Sequence, residues 1–215
     1  MKPQLVIFDV DGTLLDTEAR WKEAWETIGS KYNVPELGTD LFYKLIGKSG
    51  KEEILFIENY LNERYLPTAI LNEATSYGLQ LLSEHIDVKP GTFELLNKLK
   101  ELNIPMGVAT ATNKEQTMER LTRCGLIDYF DYILCGDQVT KRKPDPETYL
   151  KVLDYFKMEA SKALVLEDSL VGVEAAYRAG IPCIMIPDLI APTQTQYDQT
   201  IAILKTMHEV VSMMG

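Results

Sequence analysis

Five short, uninterrupted apolar runs, each closed by a polar or turn-forming stretch, restrict this chain to a small set of folds. They are Leu5-Val6-Ile7-Phe8, Pro105-Met106-Gly107-Val108-Ala109, Tyr132-Ile133-Leu134-Cys135, Ala163-Leu164-Val165-Leu166 and Cys183-Ile184-Met185-Ile186. A run of four or five apolar residues without alternation suits a strand buried on both faces, the condition inside a parallel sheet. Helical patterns separate the runs. Phe93, Leu96, Leu99 and Leu102 fall on one helix face, and Met118 and Leu121 on another. Val171, Ala175 and Ala176 precede Gly180, a helix stop. Strands alternating with helices indicate a doubly wound, Rossmann-like parallel α/β sheet.

One segment breaks the rhythm. From Thr17 to His85 the apolar residues recur only at helical spacing: Trp21, Trp25, Ile28 and Tyr32, then Leu41, Leu45 and Ile46, then Ile54, Ile57 and Leu61, then Ile70, Ala74 and Leu81. A connection this long is rarely structureless. The expected organisation is an α/β core from residues 1–16 and 86–215, with an α-helical unit inserted at 17–85.

In parallel α/β sheets, ligands bind at the carboxyl ends of the strands. The polar residues expected there are Asp9 and Asp11 after the first run, Thr110 and Ala111 after the second, Lys143 in the loop after the third, and Glu167 and Asp168 after the fourth. Asp9 and Asp11, two apart in an extended segment, point the same way and repel unless a cation or proton lies between them. Oxygen donors without nitrogen or sulfur favour Mg²⁺. A carboxylate approaching a phosphate meets repulsion of about 4 kcal/mol per unit-charge pair at 4 Å and an effective dielectric near 20. A bridging Mg²⁺ and the Lys143 ammonium would offset this. Asp9 could then attack phosphorus, with Asp11 moving the proton of the leaving oxygen. Thr110 and nearby backbone N–H groups would bind phosphate oxygens.

Each piece also has a plain structural reading. Asp9-Val10-Asp11-Gly12-Thr13 reads as a turn, Thr110 as a helix N-cap, Lys141-Arg142-Lys143 as a solvated loop, and Glu167-Asp168 as a helix cap. Their order at four successive strand ends favours chemistry.

With 22 basic and 32 acidic residues, the chain has a formal charge of −10. That balance speaks against nucleic acid and anionic membranes as general partners. The odd set Cys124, Cys135 and Cys183 reads as small buried hydrophobes. No secretory or long apolar segment is apparent, so a cytoplasmic location is expected, and with no apolar surface stripe a monomer is expected.

The four polar elements resemble the four motifs of the haloacid dehalogenase superfamily. Asp9-Val10-Asp11-Gly12-Thr13 is similar to its nucleophile loop and Thr110 to its second motif. Lys143-Pro144-Asp145-Pro146 is similar to the third, and Leu166-Glu167-Asp168-Ser169 to the fourth. The resemblance spans the chain. It implies Asp9 as nucleophile and Mg²⁺ held by the Asp9 carboxylate, the Asp11 backbone carbonyl and Asp168, with Glu167 nearby or ligating. Retention of Asp11 implies phosphoryl transfer rather than dehalogenation. The inserted helices resemble the cap of the phosphatase and beta-phosphoglucomutase subgroup, which would exclude water and read the substrate. The implied activity is a phosphatase acting on a small phosphorylated metabolite. The alternative is a mutase, and a more remote one a non-catalytic binding protein. The mutase pattern has a histidine where this chain reads Glu18-Ala19-Arg20-Trp21-Lys22, and a cap arginine where it reads Gly47-Lys48-Ser49-Gly50-Lys51. Arg20, Trp21, Lys48 and Lys51 are the cap candidates for specificity.

Overall fold

The computed structural model describes residues 3–45, 51–61 and 65–214. In chain order, β1 (Leu5–Phe8) leads into α1 (Thr17–Lys31), α2 (Asp40–Leu45), α3 (Lys51–Leu61) and α4 (Pro67–Glu84). There follow α5 (Thr92–Glu101), β2 (Met106–Ala109), α6 (Lys114–Arg123), β3 (Tyr132–Leu134), α7 (Glu147–Phe156), β4 (Ala163–Glu167), α8 (Leu170–Arg178), β5 (Cys183–Met185), α9 (Gln194–Gln199), β6 (Ala202–Ile203) and α10 (Met207–Met213). The chain divides into two compact units, residues 1–16 with 87–215, and residues 17–86.

The first unit is built on one six-stranded sheet in the order β3-β2-β1-β4-β5-β6, all pairs parallel. The N-terminal strand lies inside it, with Phe8 opposite Val108 on one side and Leu166 on the other. Leu5 and Ile7 pack with Tyr149, Val152 and Leu153 of α7 and Val173 and Ala176 of α8. Val6 and Phe8 alternate to the other face and are equally buried, so an unbroken apolar run is what the position requires. The α/β class expected from the sequence is the one observed.

Three details depart from the expected pattern. β6 is a sixth strand of two residues, too short to stand out as an apolar run. Phe93 is 39% exposed and edges onto the Tyr129 ring, while Leu95 joins Leu96 and Leu99 in the core face of α5. Val171 likewise faces outward, and Val173 fills the core of α8.

The second unit consists of helices and their connecting turns among its described residues. Trp25, Ile28, Leu41, Phe42, Ile57, Leu61, Ile70 and Ala74 form its interior. The Trp21 ring packs directly on Gly78, where a Cβ would collide with it. Lys48 and the side chain of Lys51 lie outside the described residues. Within the first unit the two crossings to this insertion run side by side. The Asp16 N–H donates to the Asp87 carbonyl (2.8 Å), the Lys89 N–H to the Leu14 carbonyl (2.9 Å), and Leu15 bridges Val88 antiparallel.

Candidate active site

The carboxyl ends of β1, β2 and β4 bring Asp9, Thr110 and Glu167-Asp168 to one edge of the sheet, and the loop before α7 adds Lys143. Asp9 continues β1, its N–H donating to the Leu166 carbonyl at 3.0 Å. Gly12 turns the chain back with φ +85°, a conformation that favours glycine, and a Cβ there would strike the Asp168 carboxylate. The next residue, Thr13, donates its hydroxyl to Asp168 Oδ1 at 2.8 Å.

Lys143 is the hub. Its ammonium has three N–H donors, and all three are taken: by Asp9 Oδ1 at 2.7 Å, Glu167 Oε1 at 2.6 Å and the Ala109 carbonyl at 3.0 Å. A phosphate meeting this ammonium would have to share those donors. The side chain is 5% exposed, which removes the solvated-loop reading for Lys143, whereas Lys141 and Arg142 are exposed.

Glu167 is fully buried and saturated. Oε1 also accepts from the Tyr149 hydroxyl at 2.8 Å, and Oε2 accepts from the Asp168 N–H, the Ser169 N–H and the Ser169 hydroxyl, each at 3.0 Å. Gly172 lets the carboxylate sit against α8, since a Cβ there would occupy its place. Burial opposes ionisation of Glu167, but the Lys143 charge and these donors outweigh it and hold its carboxyl below the usual range. The same two carboxylates raise the Lys143 ammonium against the pull of its burial. Burial pushes the Asp9 carboxyl up to about 8, with Glu167 and Asp11 acting in the same direction and Lys143 against it.

The carboxylates of Asp9, Glu167 and Asp168 are all buried, and one oxygen from each lies within 4.8 Å of the others. Three negative groups face one lysine, so full ionisation leaves an excess of two negative charges. A divalent cation bound through oxygen would balance that excess, and the donor set contains no softer ligand. Glu167 already carries five hydrogen bonds, so Asp9 and Asp168 are the better oxygen donors and Glu167 the better anchor.

Asp11 stands apart from this cluster. Its Oδ1 accepts from Arg120 Nη1 at 2.8 Å and its Oδ2 from the Thr112 hydroxyl at 2.6 Å. The helix-cap readings of the other motif residues do not hold as first stated. Asn113 caps α6 by accepting from the Gln116 N–H, and Ser169 caps α8 by accepting from the Gly172 N–H. Thr110 is buried, and its hydroxyl accepts from the Thr112 N–H at 3.1 Å, leaving its O–H to donate. Ala111 is exposed beside it.

Of the residues singled out from sequence, Asp9, Lys143, Glu167 and Asp168 form one hydrogen-bonded and charge-coupled group. In the helical unit, Arg20 pairs with Glu23 at 2.7 Å on its own helix. Sequence reasoning missed Arg120, Thr112, Tyr149 and the hydroxyl of Thr13. A tyrosine five residues after a loop proline, or an arginine on a polar helix, carries no mark of burial.

Comparison with known proteins adds to this geometry. A family model described as haloacid dehalogenase-like hydrolase matches residues 6–186. A phosphorylated carbohydrates phosphatase of Thermotoga maritima is 36% identical over 178 residues, covering 83% of this chain and 82% of its own. A validoxylamine A 7'-phosphate phosphatase of Streptomyces hygroscopicus is 29% identical over 186 residues, covering 84% of each chain. Among solved structures, a candidate beta-phosphoglucomutase from Thermotoga maritima superposes with a TM-score of 0.80 at 31% identity, over 99% of this chain and 98% of that one. Among the described residues, no helix is long and apolar enough to cross a membrane.

Proposed function

The chain belongs to the haloacid dehalogenase-like hydrolases, and from that premise we propose that it is a magnesium-dependent phosphatase acting on a small phosphorylated carbohydrate, with Asp9 as nucleophile. The observation that carries the reading is the buried Asp9, held by Lys143 at 2.7 Å beside Glu167 and Asp168. The similarity to a phosphorylated carbohydrates phosphatase supports the substrate class.

Lys143 occupies Asp9 Oδ1 and so fixes the carboxylate, leaving the other oxygen to bond phosphorus. As that bond forms, the bond from phosphorus to the substrate oxygen breaks, and Asp11 gives this oxygen a proton. Water then attacks phosphorus, Asp11 takes one of its protons, and the aspartyl-phosphate bond breaks to release phosphate and restore Asp9. Thr110 donates its hydroxyl to a phosphate oxygen, with the Ala111 N–H beside it. Asp9 and Asp168, with the Asp11 carbonyl, would hold Mg²⁺, which when bound neutralises phosphate charge and aligns the reacting groups. We assign recognition beyond the phosphate to the helical unit. There Lys48 and Lys51 are better candidates than Trp21, which packs on Gly78, or Arg20, which is paired to Glu23.

Asp11→Asn should slow turnover of an alkyl phosphate such as glucose 6-phosphate by about 10²–10⁴-fold. The loss should be smaller for p-nitrophenyl phosphate, whose leaving group needs little protonation. Equal losses on the two substrates would count against proton transfer by Asp11.

Mg²⁺ should be required, with chelator abolishing activity and Ca²⁺ inhibiting, because Ca²⁺ takes more ligands at longer distance. Binding should also be visible without turnover. At 100 times its dissociation constant, Mg²⁺ would stabilise the fold by about 2.7 kcal/mol. Its effect on the melting temperature should largely vanish in Asp168→Asn. A Mg²⁺ response unchanged by that substitution would move the metal away from Asp168.

The fold likeness to a candidate beta-phosphoglucomutase supports a mutase as the second reading. Conversion of β-glucose 1-phosphate to glucose 6-phosphate without net phosphate release would select it.

A further inference from the structure

We propose that Arg120 is a positioning residue that acts through Asp11: with Thr112 it fixes the Asp11 carboxylate for proton transfer. The proposal rests on the phosphatase reading above and adds a residue that none of the four motifs contains.

The starting point is an arginine in the wrong place for a surface charge. α6 is a polar helix whose other arginine, Arg123, pairs with Glu119 of the same helix while part exposed. Arg120 is 5% exposed. Burying a guanidinium is unfavourable unless it is paired and hydrogen-bonded, and packing alone would be better served by leucine or methionine. Its partner is Asp11, 109 positions earlier in the chain, at 2.8 Å.

Thr112 completes the arrangement. It follows β2 and gives its hydroxyl to the second Asp11 oxygen at 2.6 Å. One donor fixes the direction of a carboxylate, and two donors from different elements also fix its plane. The backbone beneath is pinned as well, with Asp11 bridged to Leu15 and the Gly12 N–H donating to the Leu15 carbonyl at 2.8 Å. Side-chain rotation is then the freedom that remains to Asp11, and Arg120 with Thr112 controls it. The two acids of the loop are thus served by separate cations, Asp9 by Lys143 and Asp11 by Arg120. That separation keeps the second acid off the Asp9–Glu167–Asp168 cluster and free for its own task.

The test is a double-mutant cycle on the purified full chain with Mg²⁺, using p-nitrophenyl phosphate and phenyl phosphate as good and poor leaving groups. Arg120→Gln should lower kcat for phenyl phosphate by about 10–100-fold, a share of the effect of losing acid catalysis, with KM changed less than about twofold. The loss for p-nitrophenyl phosphate should be several times smaller. Arg120→Lys, which keeps the charge but not the planar fork, should recover part of the rate. In the Asp11→Asn background, Arg120→Gln should change kcat by less than about twofold, because a residue that works through Asp11 has nothing left to position.

An equal factor in both backgrounds, or equal losses on both substrates, would overturn the proposal and leave Arg120 as a structural ion pair. So would wild-type kcat in Arg120→Gln. If that variant fails to fold, Thr112→Val goes through the same cycle with the same expectations and the same overturning results. Failure of the phosphatase reading looks different: the wild type releases no phosphate from either ester, or Asp11→Asn itself leaves phenyl phosphate turnover intact.

Discussion

Asp9→Asn should reduce phosphate release by at least ~10⁴-fold, the scale seen when a nucleophile is removed, while the protein melts at or slightly above the wild-type temperature. The two halves of this expectation have different causes. Activity falls because an amide oxygen is a poor nucleophile and the neighbouring carboxylates are engaged elsewhere: Glu167 is saturated, Asp11 is held by Arg120 and Thr112, and Asp168 accepts from Thr13. Stability holds because asparagine keeps the shape and can still accept from Lys143. It also removes one of three buried acids, the one that burial already pushes up to about 8. Phosphate release measured beside thermal melting decides the matter. Activity within tenfold of wild type would end the assignment of Asp9, and a collapsed melting temperature would show that its main role is structural.

Lys143→Met should remove both activity and much of the stability. The ammonium lies between Asp9 and Glu167, and Glu167 is 0% exposed. Taking away one partner of a buried ion pair leaves an uncompensated charge and typically costs about 3–5 kcal/mol. For a chain of this size that corresponds to a fall in melting temperature of roughly 10 °C. A companion Lys143→Met/Glu167→Gln variant should recover part of the melting temperature, because the most deeply buried charge has gone, and recover none of the activity. Thermal melting of the two variants, read against phosphate release, separates these effects. If the single substitution melts like the wild type, the three hydrogen bonds of Lys143 contribute far less than their geometry implies.

The parts of this molecule that sequence reasoning reached share a physical reason. β1, β2, β4 and β5 announce themselves because a strand buried on both faces is apolar along nearly its whole length, with Leu5-Val6-Ile7-Phe8 the clearest case, and the part-buried edge strand β3 shares the pattern. Asp9, Lys143, Glu167 and Asp168 were legible because carboxylates and a lysine at strand ends have few structural reasons to be there in that order. Phe93 and Val171 were misplaced because neighbouring positions on a helix differ by 100° and either register fits a short apolar pattern. β6 escaped because Ala202 and Ile203 alone make no pattern. Arg120 escaped for a deeper reason. Charge on a helix normally means solvent, and only the folded chain shows that a partner 109 positions away has drawn this one inward.

The placement of the N-terminal strand inside the sheet has a consequence for how the protein is made. β1 leaves the ribosome before the other strands, yet its neighbours are β2 and β4, and Thr13 meets Asp168 only after 155 further positions. At synthesis rates of ~5–20 residues per second, that interval is roughly 8–30 s. Through most of it the apolar strand has no partner and Asp9 no lysine, since Lys143 follows it by 134 positions. The exposed apolar strand is therefore a liability of the nascent chain until β2 and β4 have been made. The burial of three acids around one lysine is likewise deferred until Glu167 and Asp168 have followed Lys143.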